Sequence, residues 1–455
     1  MNYSEIISKQ RVFFNTNQTK DISFRINQLQ KLKTLLKEQE SAFYDAIYQD
    51  FKKSEFETYT AELSFIYDEI NTAIKKLPKW AKKKRNRTNL VNIPARSYTL
   101  AEPLGVCLVM GAWNYPYQLS LLPLITAIAA GNTVVLKPSE VPSATSSIMA
   151  ALINNNFPPE FLYVVEGGIP ETTDLLKEKF DKIFFTGSTA VGKIIYKAAA
   201  KHLTPVTLEL GGKSPAIITK ETNIKETAKR IIWAKFLNAG QTCIAPDYIL
   251  VENSIKDEML KAFKKQIEQF DYSFDNDNYV QIINDRNYNR LVNLIDKEKL
   301  FFGGETDKSG RYIAPTILSE VHFDDDVMKE EIFGPILPVI SFTDLDKIIH
   351  TIKQRSKPLS LYIFTKNRKI RNKILLEISF GGGAVNDAVM HISNSYLAFG
   401  GVGDSGMGSY HGKAGFDDFS HFKSILEKPF GWEPNFKYPP YNTSKLSWIK
   451  RIMGN

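Results

Sequence analysis

The chain has 455 residues, with 58 basic against 50 acidic side chains for a formal net charge of +8, and 43% of its residues are hydrophobic. That length exceeds one ordinary core and predicts two or three domains, and the composition excludes a disordered or fibrous chain. The charge surplus is too thin for a nucleic-acid protein, two cysteines exclude a disulfide framework, and no apolar run approaches the ~20 residues of a membrane span.

The N-terminal MNYSEIISKQRVFF has no charged region followed by an apolar one, so no signal peptide is expected and the cytosol is the default location. Residues 1–80 read as helical: Phe24, Leu29, Leu32, Leu35 and Leu36 recur at helical spacing, as do Leu63, Ile66 and Ile70. The basic stretch Lys79–Arg87 reads as a solvated helix end rather than a nucleic-acid contact. Over Leu90–Glu102, Pro94 separates two short extended stretches, which predicts a protruding β-arm.

Strand–helix alternation then sets in. Strands are predicted at Gly105–Met110, Thr133–Leu136, Phe161–Val165, Lys182–Phe185 and Val206–Leu210, with helices at Leu119–Ala130, Ala144–Ile153, Glu171–Lys177 and Val191–Ala200 between them. This order predicts a parallel, doubly wound sheet that binds ligands at the carboxyl ends of its strands. A second alternating region has strands at Ala216–Ile218, Tyr248–Val251, Pro338–Ile340 and Leu361–Phe364, with a helix over Glu226–Leu237 that Gly240 ends. The tail beyond Phe430 is rich in Pro, Tyr and Trp and reads as a packed arm. It closes in a short helix, Lys445–Met453, whose Leu446, Trp448, Ile449, Ile452 and Met453 interleave with Lys450 and Arg451. Packing on a partner protomer is the favoured reading of this helix, and contact with a membrane surface the second.

Five segments carry chemistry. Gly187-Ser188-Thr189-Ala190-Val191-Gly192-Lys193 follows an apolar strand and matches the start of a P-loop, but Ile194 stands where magnesium needs Ser or Thr, which argues against an ATPase. What remains is a small-residue turn able to bring backbone N–H groups to a phosphate, or a plain strand–helix turn. Lys137-Pro138-Ser139-Glu140 ends a strand with two opposite charges, fit for ribose hydroxyls or for a simple surface pair. Cys107 lies in the apolar run Val106–Val109 and reads as buried, whereas Cys243 sits among small residues in Gly240-Gln241-Thr242-Cys243-Ile244-Ala245. A lone cysteine is more often inert than reactive. Glu209, between Leu208 and Leu210 and before Gly211-Gly212, is costly to bury without purpose, and burial would raise its pKa toward general-base work. Asn114, in Gly111-Ala112-Trp113-Asn114-Tyr115-Pro116, can cap the next helix or donate to an oxyanion.

Taken in order, GAWNYP, LKPSE, FTGSTAVGK, LELGGKSP, GQTCIA, EEIFGP and FGGVGDSGMGSYHG resemble the aldehyde dehydrogenase superfamily over Gly105–His421. The short N-terminus, the GSYHG run and the YPPY tail resemble its class-three branch, which implies a homodimer acting on medium- and long-chain or aromatic aldehydes. The implied fold is α/β: a doubly wound Rossmann-like cofactor domain (1–80 and 101–210), an α/β catalytic domain (211–420), and a small oligomerisation arm (81–100 with 421–455). By position, the resemblance implies Cys243 as nucleophile, Glu209 as general base and Asn114 as the oxyanion amide. It places Lys137 and Glu140 on the adenosine ribose, Gly187, Ser188, Val191 and Gly192 near the pyrophosphate, and Glu331 and Phe333 at the nicotinamide ribose and ring. Tyr115, Trp233 and the Ile392–Tyr396 stretch would line the substrate tunnel, and their character suits an apolar aldehyde, up to a polyene. No metal is expected.

The implied activity is NAD(P)-dependent oxidation of an aldehyde to its acid through a cysteine thiohemiacetal and thioester. Glu140 favours NAD, since a carboxylate suits a free 2′-OH and repels a 2′-phosphate, although the class-three branch also takes NADP. The nearest rival is a CoA-acylating dehydrogenase, in which a thiol resolves the thioester. A carboxylate at Glu209 favours water. A non-catalytic binding protein is disfavoured by the presence together of Cys243, Glu209 and Asn114.

Overall fold

Regular apolar spacing builds the N-terminal region as helices. In this computed structural model, which describes residues 3–273, 276–431 and 433–454, they are α1 (Tyr3–Asn15), α2 (Ile22–Glu38), α3 (Glu40–Phe51) and α4 (Ser64–Trp80). The buried stripe Leu29, Leu32 and Leu36 of α2 faces the common core with Ile66, Ile70, Ala73 and Leu77 of α4. Between α3 and α4 the chain makes a helical turn, Glu55–Thr58, and passes into a π-helical turn, Tyr59–Leu63. Trp432 of the aromatic tail lies outside the described residues.

The basic stretch does not prolong α4. It runs on as β1 (Lys84–Asn86), antiparallel to β2 (Arg96–Pro103). All three residues of β1 are exposed, so no apolar pattern announces a strand; it is held by backbone pairing to Ser97–Thr99 and by the Lys83 ammonium, 3.2 Å from the centroid of the Tyr98 ring. Ahead of Pro94, Leu90–Asn92 is a single 3-10 turn rather than an extended stretch.

The alternation that follows forms β3 (Val106–Met110), α5 (Pro116–Ala130), β4 (Thr133–Lys137), α6 (Ser143–Asn154), β5 (Leu162–Val164), α7 (Ile169–Leu175), β6 (Lys182–Thr186), α8 (Thr189–Ala200) and β7 (Val206–Glu209). Strands β7-β6-β3-β4-β5 are adjacent in that order and all parallel, as the alternation predicted. Helices cover both faces, so β3, β4 and β6 are buried throughout and read as unbroken apolar runs. The order reverses at β3, and Met110, Lys137, Thr186 and Glu209 end their strands along one edge.

A second sheet takes β8 (Pro215–Ile218), β9 (Tyr248–Glu252), β10 (Leu300–Phe302), β11 (Thr316–Leu318), β12 (Ile336–Phe342), β13 (Ser360–Phe364) and β14 (Gly382–Val385), in the order β10-β11-β12-β9-β8-β13-β14. Helix α9 (Ile224–Phe236) crosses from β8 toward the cysteine segment. It stops four residues short of Gly240, because Asn238, Ala239 and Gly240 all adopt left-handed backbone (φ 53°, 50° and 73°). The two-residue strand β15 (Gly406–Met407) returns to the first sheet, antiparallel to β7. β16 (Ser420–Glu427) pairs along the whole of β2, from Ser420 opposite Pro103 to Glu427 opposite Arg96. The chain closes in α10 (Thr443–Met453). No helix among the described residues is long and apolar enough to cross a membrane.

Candidate active site

The cysteine segment is built by its left-handed run. Asn238 at φ 53° turns its amide back to donate to the Asn114 carbonyl at 2.9 Å and to the Gln241 carbonyl at 3.2 Å. Gly240 must be glycine: its backbone is left-handed, and a Cβ there would meet the carbonyl of Gly334. Gln241 is fully buried and ties the loop down, donating to the Asn238 and Gln281 carbonyls and accepting from Ile283 N–H at 3.0 Å. Cys243 is thereby presented half-buried, while Cys107 is fully buried in β3.

Asn114 stands across from this loop, and its Nδ2 donates to the Gln241 carbonyl at 3.0 Å. A primary amide has two N–H donors, so this bond fixes the plane of the amide and leaves the second donor for another acceptor. Tyr115, the next residue, shares a 2.7 Å hydrogen bond with the Thr242 hydroxyl beside Cys243. The loop and the end of β3 are thus joined by two side-chain hydrogen bonds at the residues just before the thiol.

Two carboxylates act on that thiol. Glu209 ends β7 and is buried, yet neither of its oxygens has a hydrogen-bond partner among the described residues. Burial first, and then the charge of Asp418, pushes it well above the usual carboxylate range. Glu331 lies against Gly211, whose missing side chain makes the room, and accepts from the Gly212 N–H. Its pKa is pushed up to about 8, first by burial and then by Asp247. The Cys243 thiol is itself pushed up, by burial and then by Glu331 and Glu209 in that order. With only these groups around it, the resting sulfur is a neutral thiol.

The remaining sites separate into two places. Lys137 and Glu140 pair with each other at the end of β4, 3.0 Å apart, with the lysine buried and the carboxylate half exposed. The Ser188 hydroxyl accepts from Val191 N–H at the start of α8, and a Cβ on Gly192 would fall 2.7 Å from Leu210, so the first turn of that helix lies tight on the end of β7. The side chain of Val191 is exposed. The Gly187 N–H donates to the Glu209 carbonyl at 2.9 Å. Phe333, left-handed at φ 51°, lies edge-on to Trp113 with ring centroids 5.2 Å apart. None of these shares a hydrogen bond with the Cys243 loop.

Tyr115, Trp233 and Ile392 line one cavity of about 330 Å³ together with Cys243. Tyr396, expected there as well, is 82% exposed and is not part of the wall, since the chain turns outward after Ser393. Other residues at the site carry no legible sequence signal: the buried ion pair Lys53–Glu62 and the backbone anchor Asn238 lie outside any phosphate-, metal- or nucleophile-type motif. Lys235 on α9 is equally silent. It is fully buried with no hydrogen-bond partner among the described residues, and burial lowers it to about 8.

Residues 2–425 match the family profile described as the aldehyde dehydrogenase family. A 4,4'-diaponeurosporen-aldehyde dehydrogenase of Staphylococcus aureus is 46% identical over 450 residues, 98% of this chain and 98% of that protein. A dimeric NADP-preferring aldehyde dehydrogenase of Rattus norvegicus is 46% identical over 442 residues, 96% of this chain and 97% of that one. The solved substrate-bound state of Staphylococcus aureus AldH is 45% identical and covers 100% of both chains with a TM-score of 0.98. The chain belongs to the aldehyde dehydrogenase family and is an oxidoreductase that acts on aldehydes.

Proposed function

We propose that this protein oxidises an apolar, medium- to long-chain or polyene aldehyde to its carboxylic acid with NAD(P), using Cys243 as nucleophile and water as the final acceptor. The observation that carries this reading is Glu209: a buried carboxylate with unpartnered oxygens, whose charge acts on the Cys243 thiol. A buried carboxylate costs several kcal/mol unless something at the site uses it, and its raised pKa suits the base that takes a proton from water. A thiol-transfer enzyme has no need of it.

The steps follow from the geometry. The Cys243 thiolate adds to the carbonyl, and the oxyanion formed takes the free donor of Asn114 together with the Cys243 backbone N–H. A nicotinamide held by Glu331 and Phe333 would supply the hydride acceptor for this oxidation. The chain is left holding a thioester on Cys243, and Glu209 draws a proton from the water that releases the acid. Lys137 and Glu140 are fit to hold ribose hydroxyls, and the turn Gly187–Gly192 to hold the pyrophosphate. Residues 1–80 with 101–210 would then form the dinucleotide domain and 211–420 the catalytic one.

The wall of the cavity supports the apolar substrate: Phe65, Tyr115, Leu119, Trp233, Ile392 and Phe399 surround the approach to Cys243. The Staphylococcus aureus relative is named for a diaponeurosporen aldehyde, which supports the polyene. In assays with saturated aldehydes from propanal to dodecanal and with retinal, kcat/KM is expected to rise by about fourfold for each methylene buried, until the cavity is filled. The product is expected to be the free acid with or without CoA. A flat chain-length profile would overturn the apolar substrate, and an acyl-CoA product would overturn the hydrolytic step.

NAD is the favoured cofactor and NADP a second one, the latter supported by the Rattus relative. Replacing Glu140 with glutamine removes the charge that opposes a 2′-phosphate. It is expected to shift the ratio of kcat/KM values toward NADP by about tenfold; an unchanged ratio would remove Glu140 from the ribose site. The dimeric name of the same relative, and the exposed Leu90, Val91 and Ile93 of the arm, support a homodimer. The exposed Leu446 and Trp448 of α10 suit packing on the partner protomer, with Lys445, Lys450 and Arg451 leaving a membrane surface as the second reading.

A further inference from the structure

Against the backbone carbonyl of Asn114 lies an ion pair with no exposure at all. Lys53 Nζ and Glu62 Oε1 are 2.8 Å apart, and both side chains are 0% accessible. The lysine sits over the Tyr115 ring, 4.5 Å from its centroid, and donates to the Asn114 carbonyl at 3.4 Å. The other carboxylate oxygen, Glu62 Oε2, accepts from Tyr117 N–H at 2.9 Å and from Gln118 N–H at 3.3 Å. One ion pair therefore grips both ends of the turn from Asn114 to Gln118, where β3 passes into α5. Glu62 lies within the π-helical turn Tyr59–Leu63, an irregularity of the kind that often marks functional positions.

A buried ion pair is a weak source of stability, since the desolvation of two charges roughly cancels their attraction. It is a strong source of geometry, because each of its hydrogen bonds has a direction and none competes with water. The Asn114 carbonyl receives Lys53 on one side and Asn238 on the other, while its side chain is tied to Gln241. The backbone and the amide plane are thus fixed together, and the second donor of the amide has little freedom to drift.

We propose that Lys53 and Glu62 are positioning residues for the oxyanion step, aligning the Asn114 amide through the peptide carbonyl and the first turn of α5. The inference rests on Asn114 being the oxyanion donor. A misplacement of about 1 Å at such a donor costs on the order of 10²-fold in rate.

The test is a double-mutant cycle on the full-length enzyme, with steady-state oxidation of one aldehyde and alkylation of Cys243 by iodoacetamide read in parallel. Asn114→Ala is expected to lower kcat by about 10²–10³-fold. Lys53→Met with Glu62→Met, an apolar replacement of the pair, is expected to lower kcat by about 10–100-fold, a larger factor than any accompanying change in KM or in the alkylation rate, which Tyr115 and Gln118 connect to the pair. Adding Asn114→Ala to that background is expected to cost far less than it does alone, because both changes remove the same contact. Should the apolar pair not fold, Lys53→Leu with Glu62→Gln, which leaves no buried unpaired charge and keeps an acceptor for the Tyr117 N–H, carries the same expectation. Undiminished turnover in Asn114→Ala overturns the role of Asn114 and this proposal with it. Loss in Asn114→Ala with the pair variants unaffected, or losses that simply multiply, overturns the proposal alone.

Discussion

Replacing Cys243 with alanine is expected to lower aldehyde-dependent NADH formation by about 10⁴–10⁶-fold, the scale on which removal of a covalent nucleophile acts. No other sulfur can stand in: Cys107 is fully buried in β3, and burial pushes its thiol well above the ordinary range. The fold should not notice the change, since Cys243 is half-buried and makes no side-chain hydrogen bond that the loop needs; Asn238, Gln241 and Thr242 hold the segment. A thermal melt within a degree or two of wild type, beside the lost activity, is the expected pair of observations. Turnover that survives the substitution would end the covalent mechanism. The titration has a definite sign as well. Burial and the two carboxylates hold the sulfur protonated, so in the free enzyme alkylation should accelerate by about tenfold per pH unit across the neutral range, with no plateau near the ordinary thiol value.

Glu209→Gln is expected to separate the two halves of the reaction. The amide has the shape of the carboxylate but cannot take a proton, so acylation of Cys243 should proceed and release of the acid should fall by about 10²–10⁴-fold. Intact mass spectrometry after mixing with aldehyde and NAD should then show the enzyme heavier by one acyl group, a species that wild type clears. A variant that turns over without accumulating acyl-enzyme would show that another group activates the water. The same carboxylate links activity to stability. Its folded pKa lies above the unfolded value of 4.5, so the folded state binds the proton more tightly. That contribution is fully present below pH 4.5 and is lost as pH rises through the folded value. At neutral pH the substitution should therefore stabilise the protein, by about 1–3 kcal/mol, while it disables turnover.

The parts legible in the sequence were those with a local pattern. The five parallel strands of the first sheet show as short apolar runs because helices bury them, and their ends carry Lys137 and Glu209 to one edge. Cys243 was legible only in company: its neighbours say nothing about reactivity, and the ordered segments around it supplied the reading. What could not be read was made of groups that meet from far apart. The cavity wall joins Ala61, Tyr115, Trp233 and Ile392 from four separate stretches; the family resemblance named the last three, but spacing along the chain has no access to any of them. Lys53 and Glu62 stand in a polar stretch of the N-terminal region where charges are normally solvated, and the packing of Phe51, Tyr115 and the start of α5 against them removes the water. The strand Lys84–Asn86 escaped notice for the reverse reason, since it is wholly exposed and owes its form to the partner strand. Asn238 is of a type that tolerates left-handed backbone, and its side-chain amide holds the turn through the Asn114 and Gln241 carbonyls, contacts from far along the chain in the first case.

The pairing of β2 with β16 has a consequence for how the molecule comes into being. Eight residues from Arg96 to Pro103 find their partners at Ser420 to Glu427, near the end of the chain. During synthesis, at about 5–20 residues per second, β2 leaves the ribosome roughly 15–60 s before the strand that will cover it. For that interval only the three residues of β1 shield one side, and the other presents open N–H and C=O groups, the kind of edge that recruits a strand from another chain. Closure of the arm is thus a late and long-range event, and a nascent chain cut short before Ser420 would carry a finished first sheet and an unguarded edge.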